Sequence, residues 1–321
     1  MIVTGFYHSL TSISTFILRS KAICEACVFR EKGGSGRWLE GAELPLGGTG
    51  LVRWGLPRTA LVSLILLLAI CAASCSASAE KQDEVLIFAA ASLKDVLAEV
   101  GGRFEERAGI KPQFNFAGSN VLALQLEAAG STAVFLSADE DWMEYLERKQ
   151  LIVAGTRRTV VSNQLVIIAN RDNPLELREP SDLASAPFRF LSLANPEAVP
   201  AGRYAKGFLE KVTVGGNSIW MQVRDRVAPA PDARAALAMV EAQRDVAGIV
   251  YKTDAASSGK VRVVLDVPAH LTPEISYAAA LIGRDDDLNS ERAFLDFLGD
   301  AEALEIFRKH GFISREESAR P

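Results

Sequence analysis

The chain has 321 residues, enough for one to three domains, and 49% of them are hydrophobic against 23% charged, an ordinary globular balance with a core to bury. A formal net charge of −5 argues against a nucleic-acid partner. The imbalance sits after residue 79, where 28 basic residues face 36 acidic ones, so an anion bound there gains nothing from the overall field.

The first eighty residues read as material outside the folded unit. Residues 1–50 show no periodic pattern and are taken as a non-structural or misassigned upstream segment. Residues 51–79 read as a secretory signal peptide. Arg53 and Arg58 form its basic flank, an apolar run of about 14 residues follows from Ala60, and small residues end it. That run is shorter than the roughly 20 residues a bilayer span needs. Ala77-Ser78-Ala79 is one cleavage site, giving a soluble periplasmic protein. Alternatively "AASC" makes Cys75 the lipidated first residue of a membrane-anchored lipoprotein. The lone pair Cys24 and Cys27 lacks the further ligands of a zinc site, and no cysteine follows Cys75. With three histidines in the whole chain, metal or acid–base chemistry has little material, and the expectation is no cofactor and no enzyme.

From Val85 onward, short apolar runs alternate with amphipathic helix patterns. "EVLIFAA" is strand-like, and Leu93, Val96, Leu97, Val100 and Phe104 then share one helical face. "KPQFNFAG", "NVLALQLEAAG", "AVFLSAD", "EDWMEYLERKQLI" and "NQLVIIAN" continue the strand–helix order. A second series follows, with "RFLSLAN", "PAGRYAKGFLEKV", "PDARAALAMVEAQ" and "AGIVY". The pattern predicts an α/β protein of two lobes, each a mostly parallel sheet flanked by helices. Lobe 1 is assigned to 84–165 and 255–321, lobe 2 to 166–254, with crossings near 163–168 and 251–256. The acidic runs 139–141 and 285–287 read as solvated faces. No glycine-rich nucleotide motif is present.

Open parallel sheets bind ligands beyond the carboxyl ends of their strands. Four helix starts lie at such turns. Ser92 and Ser119 follow the first two strands, Pro200 suits a first helical position and leaves Ala201 with a free amide, and Asp232 is an N-cap ahead of Ala233. Unpaired N–H groups and the positive ends of helix dipoles make such starts anion sites that need no lysine or arginine. The small residues Ala89, Ala90, Ala91, Ala117, Gly118 and Gly202 let backbone approach a compact ligand. A second reading stands beside this one: Ser92-Leu93-Lys94-Asp95 also suits a capping box, and Tyr251, ending a buried strand, also suits a core tyrosine with a satisfied hydroxyl.

Six stretches, "FAAASL", "FAGSNVLALQLEAAG", "VFLSADEDWM", "PEAVPAGRYAK", "APAPDARAALAMVE" and "GIVYKTDA", occur in order. Together they resemble the periplasmic molybdate-binding proteins of ABC importers over essentially all of 84–313. The resemblance implies a two-lobed type II periplasmic-binding-protein fold that captures molybdate, and tungstate with it, as a monomer and delivers it to a membrane permease. It places the oxyanion contacts on Ser92, Ser119, Ala201, Ala233 and Tyr251, with molybdenum bound only as the oxyanion. Two positions depart from the family: Ala233 stands where valine is usual and Ala133 where aspartate is usual. Another oxyanion or a small organic anion is the alternative ligand, and an exported hydrolase the alternative class.

Overall fold

The computed structural model describes residues 83–283 and 288–314; residues 1–50, the signal segment 51–79 with Cys75, and the acidic run 285–287 lie outside the described residues. The chain runs β1 (Glu84–Ala90), α1 (Lys94–Ala108), β2 (Lys111–Ala117), α2 (Ser119–Ala129), β3 (Ala133–Ser137), α3 (Glu140–Arg148), β4 (Arg158–Ser162) and β5 (Leu165–Asn170). It continues through β6 (Phe190–Ala194), α4 (Pro200–Lys211), β7 (Thr213–Val214), β8 (Asn217–Ser218), α5 (Ile219–Val223), β9 (Val227–Ala230), α6 (Ala233–Ala242), β10 (Val246–Tyr251), α7 (Lys252–Ala256) and β11 (Val261–Asp266). It closes with β12 (Ser276–Ile282), α8 (Asn289–Phe297), α9 (Ala301–Lys309) and β13 (Ile313–Ser314).

Two sheets organise the described residues, one of six strands in the order β13-β4-β12-β3-β1-β2 and one of five in the order β11-β5-β10-β6-β9. Each is mixed. The β3-β1-β2 and β10-β6-β9 halves are parallel, as the strand–helix alternation predicts. The other pairings are antiparallel, because β5, β12 and their neighbours lie where the chain passes between sheets. Both parallel halves aim the carboxyl ends of their strands at the region between the lobes.

The outgoing crossing falls at Asn163 and Gln164, between β4 and β5. The return comes later than expected. β11 pairs with β5, so the second lobe keeps the chain through Asp266, and the return lies between β11 and β12 instead of at 251–256. The reason is local: α7 is a single short turn, after which "VRVVLD" doubles back to cover the open side of β5. Besides the two-residue strands β7, β8 and β13, two strands escape the sequence pattern. β4 is only five residues long, and β9 contains Pro229, which a strand tolerates because β9 is at the sheet edge.

The helical face of α1 behaves as its spacing predicts: Leu93, Val96, Leu97, Val100 and Phe104 are all buried. Phe104 stands edge-on to Phe294 of α8 at 5.0 Å, and burying such a ring contributes about 1.5–3 kcal/mol. One apolar cluster runs through both lobes, from Val85 and Ile87 of β1 to Leu191 and Leu193 of β6. Two smaller clusters cover the other sheet faces, one behind β3 and one behind β10.

Candidate functional site

All five residues singled out by the sequence line one cavity between the lobes, together with Ala90, Ala91, Ala117, Gly118, Ala138, Val199, Pro200 and Asp232. Ser92 and Ser119 come from the first lobe; Ala201, Ala233 and Tyr251 come from the second. The cavity measures about 10 Å³, close to the room a single water needs. A larger cavity of about 500 Å³ lies elsewhere, between β4, α9 and the residues linking α8 to α9, and brings none of the five together.

Local structure explains why backbone donors face this space. In α2, Val121 and Leu122 donate to the Gly118 carbonyl, and no side chain caps the start, so helix geometry leaves the Ser119 and Asn120 amides. In α4, Pro200 is the first residue and has no N–H, and Arg203 donates to Val199, which leaves Ala201 and Gly202. In α6, Asp232 is the N-cap and accepts from the Ala235 amide at 2.8 Å, while Ala236 donates to the Asp232 carbonyl; Ala233 and Arg234 remain. Ala233 presents its amide, so alanine in place of valine alters only the cavity wall.

The hydroxyls are held by partners that sequence reasoning missed. The Ala138 amide donates to Ser119 Oγ at 3.0 Å, so the serine oxygen is engaged as an acceptor and its hydrogen is free to donate. Ser92 does not cap α1. The N-cap there is Leu93, without a side-chain cap, and Ser92 Oγ instead lies 2.9 Å from the Tyr277 hydroxyl. The capping-box reading therefore fails, because Ser92 sits one residue before the N-cap, in the 3-10 turn 91–93. Tyr251 is 1% exposed, and its hydroxyl finds no partner in the protein. Burial holds its phenol well above the ordinary range, so it stays a donor. The reading of Tyr251 as a core tyrosine with a satisfied hydroxyl fails on this point. An unpaired buried hydroxyl costs about 1–3 kcal/mol, which makes this one beside the cavity a candidate donor.

Glycines set how closely the walls approach. A Cβ at Gly118 would stand 3.0 Å from the Pro231 carbonyl, across the gap between the lobes. Gly202 serves the scaffold instead of the ligand. A Cβ there would lie 2.0 Å from the Ala194 carbonyl, so only glycine lets α4 start against the end of β6.

Side chains of the second lobe reach across to carboxylates of the first. Arg203 of α4 pairs with Asp139 at 3.3 Å and also with Asp141, and Arg234 of α6 pairs with Asp95. Trp142 Nε1 donates to the Ala198 carbonyl at 2.9 Å. Asp139 corrects the solvated-face reading of 139–141. It is buried, caps α3 by accepting from Trp142, and has its carboxyl raised chiefly by burial, against the pull of the Trp142 amide and Arg203. Asp254 is fully buried beside Thr253. Arg234 Nε stands 2.7 Å from its Oδ1 without hydrogen-bond alignment, and burial pushes the Asp254 carboxyl up to about 7. Ala133 lies at the far end of β3 from the cavity, about 16 Å along the strand, packed opposite Ile282 in an apolar cluster. An alanine there adds to that cluster and leaves the cavity wall unchanged.

No cluster of three or more histidine, cysteine, aspartate or glutamate side chains able to hold a metal ion occurs among the described residues. Two α/β lobes meeting over a small cavity lined by neutral donors define a protein that holds a compact solute between its lobes. The chain belongs to the family of bacterial extracellular solute-binding proteins, whose pattern matches residues 85–313. It is 34% identical to the molybdate-binding protein ModA of Escherichia coli K12 over 236 residues, which is 72% of this chain and 89% of that protein. It is 34% identical to the molybdate-binding protein ModA of Haemophilus influenzae over 258 residues, covering 79% and 98%. The solved periplasmic molybdate-binding protein of Azotobacter vinelandii shares the fold, with a TM-score of 0.62 at 20% identity, covering 71% of this chain and 98% of that one. The resemblance carried by the six motifs agrees with these relatives.

Proposed function

We propose that the chain captures molybdate, and with it tungstate, and hands it to the membrane permease of an ABC importer. The observation that carries this reading is the Tyr251 hydroxyl, buried and unpaired, in a cavity where two serines and two helix-start amides converge. Hydrogen bonds to a charged acceptor contribute about 1.5–3 kcal/mol each, so five neutral donors supply binding without a countercharge. Seating a tetrahedral dianion requires the lobes to part slightly and close again, and the donors of both lobes then meet oxygens of one ion. Because the donors are set by helix starts and not by flexible chains, the cavity selects by size. Molybdate and tungstate, similar in size, span it, and the smaller sulfate does not reach all five.

In this reading residues 51–79 direct export and the mature protein works as a monomer outside the cytoplasm, free or anchored through Cys75. N-terminal sequencing of the exported protein distinguishes a start at Glu80 from a lipidated Cys75. Calorimetric titration with molybdate, tungstate, sulfate and phosphate tests the ligand. Tight binding of the first two and weak or absent binding of the others is the expected result; equal binding of sulfate overturns the size argument, and no binding of any oxyanion overturns the reading.

A further inference from the structure

We propose that Tyr277, itself fixed by Asn163, is a positioning residue that commits the Ser92 hydroxyl to donating into the cavity. The inference rests on the oxyanion reading above and adds to it the device that gives Ser92 its donor role. The chain of bonds begins where the protein crosses between lobes. The Gln164 amide donates to Asn163 Oδ1 at 2.8 Å, which settles which end of the Asn163 side chain is oxygen. Asn163 Nδ2 therefore faces the other way, and its two hydrogens go to Thr253 Oγ1 at 2.9 Å and to the Tyr277 hydroxyl oxygen at 3.4 Å.

Tyr277 is 1% exposed, and burial keeps its phenol protonated. Its oxygen accepts from Asn163, whose amide nitrogen offers no lone pair. The one acceptor bonded to Tyr277 is then Ser92 Oγ, at 2.9 Å. Tyr277 donates, and Ser92 accepts. With its oxygen so engaged, Ser92 points its own hydrogen elsewhere, and Ser92 is one of the residues that line the cavity. The reverse arrangement, with Ser92 donating to Tyr277, would leave the phenol proton without a partner and turn a serine lone pair toward an anion. Ser119 reaches the same state by a shorter route, through the Ala138 amide. Both serines thus meet the solute as donors, one oriented by backbone and one by two side chains.

A double-mutant cycle read by molybdate titration tests the assignment. Tyr277→Phe keeps the ring that packs on Tyr251 and Phe312 and removes the bond to Ser92. It is expected to weaken molybdate roughly 3–10-fold, the worth of about one hydrogen bond. In a Ser92→Ala background the same change is expected to have no further effect, because there is no hydroxyl left to orient. Equal losses in both backgrounds would mean that Tyr277 acts only by packing, and no loss in either would mean that it does not act; both overturn the proposal. Asn163→Ala leaves the tyrosine in place and must show the same dependence on Ser92, which keeps the test available if the Phe variant folds poorly. Failure of the unmodified chain to bind any oxyanion overturns the oxyanion reading itself, and is seen before any variant is made.

Discussion

Tyr251→Phe removes one atom and separates the ligand role of this residue from a packing role. The hydroxyl is buried at 1% exposure of its residue and has no partner in the protein. If it donates to a bound oxyanion, its loss removes one hydrogen bond to a charged acceptor, about 1.5–3 kcal/mol. At 1.4 kcal/mol per factor of ten, the dissociation constant for molybdate rises roughly 10- to 150-fold. The ligand-free protein should respond in the opposite sense. A buried hydroxyl without a partner costs about 1–3 kcal/mol, so removing it leaves stability unchanged or raises it, according to how often the free lobes stand closed. The assay is a calorimetric titration beside a thermal melt of the free protein. Weaker binding with an equal or higher melting temperature supports the reasoning. An unchanged dissociation constant refutes it, and a lowered melting temperature in the free protein would show that the hydroxyl has a structural partner after all.

Other expectations follow from the same geometry. Arg203→Ala breaks the bridge from α4 to Asp139 and Asp141 and is expected to weaken molybdate up to about fivefold, the range of a partly exposed ion pair, mainly through faster release in stopped-flow measurements. Gly202→Ala forces a Cβ against the Ala194 carbonyl, and overpacking of this kind costs about 1–3 kcal/mol, a fall of roughly 2–12 °C in melting temperature for a unit of this size; an unchanged melt would show that α4 can shift freely. Asp254 links stability to pH. Its folded carboxyl is pushed up to about 7 by burial while an unfolded one titrates near 4, so in that window the folded chain holds a proton the unfolded chain has lost. Stability therefore falls as pH rises from about 4 to 7, by at most about 1.4 kcal/mol per pH unit from this group, and Asp254→Asn should flatten that slope in urea melts at pH 5, 6 and 7.

Much of the site was legible because it is made of helix starts. Proline at a first position, aspartate before an alanine-rich helix and a serine after a strand each mark where amides go unpaired, and chain order carries Ser92 and Ser119 to the end of one sheet and Ala201 and Ala233 to the end of the other. What was not legible depends on residues far apart in the chain. Tyr277 is the second residue of β12, 185 residues from Ser92, and nothing local distinguishes it from a core tyrosine. Asp139 looked solvated because it leads an acidic run; the lobe that buries it arrives some 60 residues later. The return crossing was misplaced for a related reason. The alternation of "VRVVLD" suits a strand, and it does not show which sheet claims it. The strand β9 was hidden because edge position alone makes Pro229 acceptable.

The site's lack of free positive charge has a mechanical sense. Arg203 and Arg234 are the cations that reach across beside the cavity, and each is tied to carboxylates, Arg203 to Asp139 and Asp141, Arg234 to Asp95 and Asp254. They hold lobe to lobe, while in the proposed reading neutral donors hold the solute. Coulomb attraction falls slowly with distance and would take in any anion, whereas hydrogen bonds weaken steeply with length and angle and so distinguish ions of one charge by size. In that reading release benefits from the same division. When the lobes part, the three donors of the second lobe leave together, and the anion faces water with two serines behind it and no fixed cation to retain it. Changes at the arginines should therefore alter molybdate and tungstate alike and leave their ratio to sulfate unchanged. Changes at Ser92 or Tyr251 should narrow that ratio, because a smaller ion that never reached the missing donor loses nothing when it is removed.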